Sequence, residues 1–271
     1  MADGLSATVG VHARLALAQV RGQAQYRASF AIDMAGQAVF TLLDFATVVV
    51  LFRVAPALAG FDLWQVLLIS AIGGAAFAFA DLAVGNVERL KHYVRTGLLD
   101  AMLIRPRRVL PQLLAVDFQL RRIGRVLCSV AVLVLACARL DVEWTGWRLA
   151  LTVAAPLVGA LFFCGLFVVT ASVAFWWIDS GEFANALTYG GREFTAYPMP
   201  VFQGAFRQLF GFVLGFGFVA YYPALAIMDK PDPLGLPGWA VIGSPVAALA
   251  ALGLAAVVWR VGIRHYKGTG S

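Results

Sequence analysis

The chain is poor in charge, cysteine and histidine, and each scarcity removes a class of function. Only 13% of its 271 residues are Asp, Glu, Lys or Arg, against roughly a quarter in an average soluble domain. Hydrophobic residues make up 61%, and the mean hydropathy is +0.81. The net charge of +6 has no soluble basic face with interleaved aromatics behind it, which excludes a nucleic-acid partner. Cys128, Cys137 and Cys164 all fall in apolar runs without CxxC spacing, where a thiol packs as a small hydrophobe. His12, His92 and His265 stand in three separate polar segments and form no metal-ligand set. GxSxG, HExxH and GxxxxGK[ST] are all missing, so the chain has no phosphate-cradling loop with which to hydrolyse ATP. Alternation of period two is also missing, which excludes a membrane β-barrel.

Long apolar runs are what the chain has. Six of them, at 30–51, 63–84, 123–138, 149–178, 204–227 and 240–261, approach the length of about 20 residues that crosses a bilayer as a helix. They predict an all-α polytopic membrane protein with one domain over 1–271. The third run is short, with Arg122 and Arg139 snorkelling from its ends. The fourth is long and must tilt or overrun the interface. Nine of the 21 basic residues crowd into 86–125, namely Arg89, Lys91, Arg95, Arg105, Arg107, Arg108, Arg121, Arg122 and Arg125. Lys and Arg favour the cytoplasmic side, so 86–122 is expected there, with both termini. Arg192 and Arg207 fall in the next inner segment on the same count. Only Arg53, Arg139, Arg148 and Lys230 are then left outside. Arg14 and Arg21 bracket the one early apolar stretch, so no cleavable signal is expected. Residues 8–28 read instead as an amphipathic helix lying in the inner interface.

Ionisable groups inside a bilayer are expensive and point to function. Asp33, Gln37, Thr41 and Asp44 follow steps of four, four and three in the first run, so they share one helix face. That stripe either lines a translocation path or bonds to a neighbouring helix. Asp81, at the cytoplasmic end of the second run, is expected to play an ordinary solvated role. In the fifth run Gly204, Gly211, Gly215 and Gly217 alternate with Phe202, Phe206, Phe210, Phe212, Phe216 and Phe218. Gly211 and Gly215 make a GxxxG pair that admits another backbone. Phe210 and its neighbours either pack or line a greasy path. Tyr221, Tyr222 and Pro223 are expected to bend this run near its outer end, before an outer loop at 229–238.

The basic segment carries the sequence RTGLLDAMLIRP at 95–106. Gly97 lets a helix start tightly and Pro106 ends it. Leu98, Met102 and Arg105, spaced by four and three, share a face suited to a groove in a soluble partner. The bland alternative is a solvated loop that serves topology alone. Six runs, an interfacial helix and this segment together resemble the permease subunits of type-2 ABC exporters. The likeness is closest to a bacterial branch with paired, unlike permeases. It rests on Arg95, Gly97, Leu98, Leu99, Asp100, Met102, Leu103 and Pro106, with Asp100 departing from the more usual Glu.

The resemblance implies that 95–106, Arg105 included, is a coupling helix on which an ABC ATPase docks. It implies two ATPase copies holding ATP and Mg, no cofactor in this chain, and a second permease, identical or homologous. It also implies export of a hydrophobic or amphipathic compound across a bacterial inner membrane. On this reading the path expected from the residues runs along Gln37, Thr41 and Asp44 and along Phe210, Gly211 and Gly215. Two other readings compete. One is a proton-coupled secondary transporter using Asp44, which leaves 95–106 unexplained. The other is a membrane-embedded enzyme, for which no catalytic grouping is present.

Overall fold

The computed structural model describes residues 27–106, 108–115, 119, 122–177 and 179–266. The interfacial helix expected over 8–28 lies outside the described residues as far as position 26. Among the described residues the architecture is all-helical, and no strand forms beyond one isolated bridge between Leu58 and Phe61. The helices are α1 (Arg27–Val54), α2 (Leu63–Val84), α3 (Leu90–Arg95), α4 (Leu98–Leu103), α5 (Val109–Ala115) and α6 (Ile123–Arg139). They continue as α7 (Gly146–Ser172), α8 (Gly181–Thr195), α9 (Gly204–Arg207), α10 (Tyr221–Met228) and α11 (Gly243–His265).

Helix α2 is the axis of the bundle and is buried along most of its length. It is apolar on every face, as a helix surrounded by protein must be. A capping box opens it. Gln65 N donates to Asp62 Oδ1 at 3.0 Å, and Asp62 N donates to Gln65 Oε1 at 3.3 Å, satisfying amides the first turn leaves free. α7 and α6 flank α2, α11 lies along α7, and α1 lies mainly on α6. α1 and α11 keep long apolar faces outward, with Phe40, Val50, Leu249 and Val257 all exposed.

The six expected spans are met unevenly. α1, α2, α7 and α11 are long and apolar enough to cross a membrane. α6 has 17 residues and falls short of that length. The fifth run is not one helix. Gly204–Val213 and Phe216–Met228 meet at a bend of 61°. The break sits at Gly215, in the left-handed region at φ +84°, where glycine avoids the penalty of a side chain. The bend expected at Tyr221–Pro223 is therefore found earlier, because Pro223 occupies the first turn of α10, where its missing amide is harmless. Residues 208–213 wind as a π-helix. Met199, 1% exposed, fills the space where side chains on Gly211 and Gly217 would lie.

The two ends of the bundle differ. At one end Lys230 Nζ donates to Gly60 O at 2.6 Å and to Gln65 Oε1 at 2.8 Å, while Arg148 pairs with Asp229 at 2.8 Å. Asp232 gathers this loop. It accepts from Tyr221 Oη at 2.8 Å and from the backbone amides of Leu234 and Leu236 at 3.1 and 3.2 Å. The other end carries α3, α4 and α5.

Candidate functional site

Helix α8 is the element that hydropathy does not show. Its sequence GEFANALTYGGREFT holds three charges and three glycines, so it reads as a loop. It starts beside Lys91, beyond the end of α2, and its last residue reaches half-way along α2. A Cβ on Gly73 would lie 2.6 Å from Thr195 Oγ1, so only glycine there lets the helix in. α8 thereby carries Arg192 into the bundle, where it pairs with Asp44 of α1. Arg192 is thus not in an inner loop. Nor is Arg207, which lies within electrostatic reach of Tyr221 and Tyr222, toward the Asp232 end.

The Arg192–Asp44 pair is one rung of a polar ladder. Asp81 of α2, 3% exposed, meets Arg125 at 2.9 Å and Arg122 at 3.2 Å. Arg122 also donates to the Asp81 carbonyl at 2.7 Å, and Arg125 donates to Gln37 Oε1 of α1 at 2.9 Å. Burial pulls the Arg122 guanidinium below its ordinary pKa, with the Asp81 charge as the leading force opposing that. Phe77 stands between the rungs, with the Arg125 guanidinium 5.6 Å and that of Arg192 5.5 Å from its ring centroid. A cation over an aromatic face is favourable, so one ring separates two like charges while attracting both. Asp81 is accordingly no solvated bystander but the anion that both guanidiniums of the lower rung meet.

The stripe on α1 therefore divides. Gln37 and Asp44 bond to neighbouring helices, and Thr41 turns its hydroxyl back to Gln37 O at 2.8 Å. Beside the upper rung a small polar pocket is lined by Asp44, Thr47, Ser70, Gly74, Arg192 and Tyr197. It is not sealed. The Asp44 side chain is 46% exposed and that of Glu193 60%. Phe210 and Gly211 lie just beyond. Phe206 and Phe210 stack at 4.5 Å and Phe194 and Phe202 at 4.2 Å, which is packing within one aromatic cluster. Gly211 faces Met199 most closely and then Phe194 of α8, while Gly215 forms the bend and faces Ala247 of α11 and Phe162 of α7.

Within the 86–122 segment, residues 86–106 and 108–115 are built rather than loose. A 3-10 turn over Gly85–Arg89 leads into α3, and α5 packs against that turn. Asn86 Nδ2 donates to Leu114 O at 3.3 Å and Gln112 Nε2 to Met102 O at 3.2 Å. Gly97 adopts φ +71° between α3 and α4, as the tight start requires. Arg95 pairs with Asp179. α4 then offers two faces. Leu99 and Met102 are buried at 0% and 5%, held between α3 and α5, with Asp100 half-buried beside them. Leu98, Ala101, Leu103, Ile104, Arg105 and Pro106 face outward. Leu98, Met102 and Arg105 thus do not share an exposed face. The outward surface is Leu98, Ala101 and Ile104, at steps of three, with Arg105 at its edge, because Met102 is used to seat the helix on the bundle.

Among the described residues no group of His, Cys, Asp or Glu could hold a metal ion. A family model described as ABC-2 family transporter protein matches residues 38–270, a stretch containing α4 and all of the ladder but Gln37. Comparison with curated proteins and with solved structures returns no match.

Proposed function

Because this chain belongs to the ABC-2 family of transporter proteins, multi-pass membrane components of transport that are not themselves catalysts, we propose that it is the permease subunit of an ATP-driven exporter. It pairs with a second permease, identical or homologous, in a bacterial inner membrane. Two ATPase subunits, carrying ATP and Mg, dock at the α4 end and drive a hydrophobic or amphipathic compound outward. The observation that carries this reading is α4. A six-residue helix, started by a left-handed glycine and pinned through Met102, turns Leu98, Ala101 and Ile104 away from the body at the end the charge count places in the cytosol. Apolar side chains presented from a rigid base are what a groove in a partner needs.

The exposed charges of the upper rung support a path along α1 and α8. Side chains as open as Asp44, part-way along membrane-crossing α1, and Glu193, next to its partner Arg192 on α8, cannot face lipid. They must meet water or a second permease. The Arg192–Asp44 pair would then open and close as the ATPases move α4.

The experiment is co-expression with the cognate ATPase, followed by co-purification in mild detergent and ATPase assay. Leu98→Ala with Ile104→Ala should weaken retention, since a well-buried anchor contributes more than about 1 kcal/mol. Arg105→Glu should weaken it further by reversing charge at the docking edge. Val261→Ala, an exposed position on α11, should change nothing. Wild-type retention and activity in the α4 variants would remove the coupling role.

A further inference from the structure

A second cavity lies away from the ladder, where α5 and the last turns of α11 meet α7. Its volume is about 780 Å³, within the roughly 300–1,000 Å³ range of small-ligand sites. Its wall is apolar, with Leu110 of α5, Val168 of α7, and Leu252 and Trp259 of α11. Its rim is cationic, formed by Arg108, Arg260 and Arg264. Among the described residues no Asp or Glu lines it, and none of the three guanidiniums is ion-paired.

The order along α11 defines the occupant. Leu252, Ala256, Arg260 and Arg264 follow steps of four and so lie on one helix face. Along that face the surface passes from apolar to doubly cationic toward the chain's end. A ligand matching it has a hydrocarbon tail followed by an anionic head, aligned with the helix. Free phosphate has no use for the wall, and a neutral lipid has none for the rim. A second copy placed here by a two-fold axis would set guanidiniums against guanidiniums, a repulsive arrangement.

We propose that this cavity seats an anionic phospholipid, with one acyl chain between α7 and α11 and the phosphate on Arg108, Arg260 and Arg264. The seat is separate from the path and does not depend on any ATPase. It would make the membrane's anionic lipid content a condition for the packing of α5, and through α5 for the position of α4.

The test is lipid retention by the full chain, purified in mild detergent and exchanged against defined phosphatidylglycerol or phosphatidylcholine, with bound lipid counted by native mass spectrometry. Phosphatidylglycerol should be retained over phosphatidylcholine. Arg260→Gln with Arg264→Gln should lower its apparent affinity by roughly fivefold per guanidinium. The corresponding double Lys variant should keep most of it. Ala256→Phe fills the wall without touching the charges and should also lower retention, while inorganic phosphate should not compete. Equal retention of the two lipids, competition by phosphate alone, or full retention by Ala256→Phe would each overturn the seat. Thermal unfolding of each variant in detergent, expected to match wild type, separates loss of the seat from loss of the fold.

Discussion

At the scale of single residues, Asp81 and Phe77 decide how three arginine and two aspartate side chains coexist inside an apolar bundle. Asp81 pairs with both Arg122 and Arg125, which are largely buried, and Glu88 adds a second negative charge near Arg122. A buried ion pair contributes little net stability, because desolvation offsets attraction, but removing one partner strands the other at about 3–5 kcal/mol. Asp81→Ala is therefore expected to lose stability on that scale in denaturant unfolding in detergent. Asp33→Ala, at an exposed position one turn before Gln37, should stay within about 0.5 kcal/mol. Arg192→Gln should leave an unpaired carboxylate at Asp44 and lower transport, and the Asp44→Asn, Arg192→Gln double variant should recover folding better than either single change. Equal damage in all three would mean that the two side chains do not act as a pair. The sequence made Asp44 conspicuous, since an isolated carboxylate in an apolar run stands out. Arg192 was hidden because its own helix is too polar to register as buried. Arg125 had a readable signal in its position inside the third apolar run rather than before it.

At the scale of elements, position in the chain predicts α2 to the residue, since an all-round apolar helix has no amphipathic face to blur its limits. The fifth run is where hydropathy fails. It sees composition, and the break at Gly215 is a matter of backbone conformation. Gly215→Ala should strain φ +84° by roughly 1–3 kcal/mol and straighten the bend, lowering transport while leaving ATPase retention intact. The α4 helix was legible in its limits, Gly97 and Pro106, but not in its orientation, because spacing alone cannot say which face a neighbour covers. Two variants separate the faces. Met102→Ala should cost about 2–5 kcal/mol of local or global stability and raise amide exchange across 98–103. Leu98→Ala and Ile104→Ala should leave both nearly unchanged while loosening the ATPase. If Met102→Ala left exchange in 98–103 untouched, α4 would not be seated through its buried face.

At the scale of the whole molecule, the contacts separate two distinct ends. Arg139, over the Trp64 ring at 5.3 Å, joins Arg148 and Lys230 at the Asp232 end, while α3, α4 and α5 stand at the other. Orientation is open to cysteine labelling. Pro233 is exposed, next to the loop-gathering Asp232. Pro233→Cys should react with an impermeant maleimide in intact cells, and Thr96→Cys only after the membrane is opened. The reverse pattern would invert the protein and separate α4 from the cytosol. Flux should require ATP and persist when the proton gradient is collapsed. Proton-driven flux without nucleotide would end the exporter reading.

The thioether of Met199, wedged between Gly211 and Gly217, gives the broken helix its own chemical clock. Peroxide adds an oxygen to an accessible methionine sulfur, making a polar sulfoxide. At 1% exposure Met199 is out of reach unless the wedge withdraws. Its oxidation rate, read by peptide mass spectrometry, should therefore count openings of the bend and should rise during turnover if the bend moves with transport.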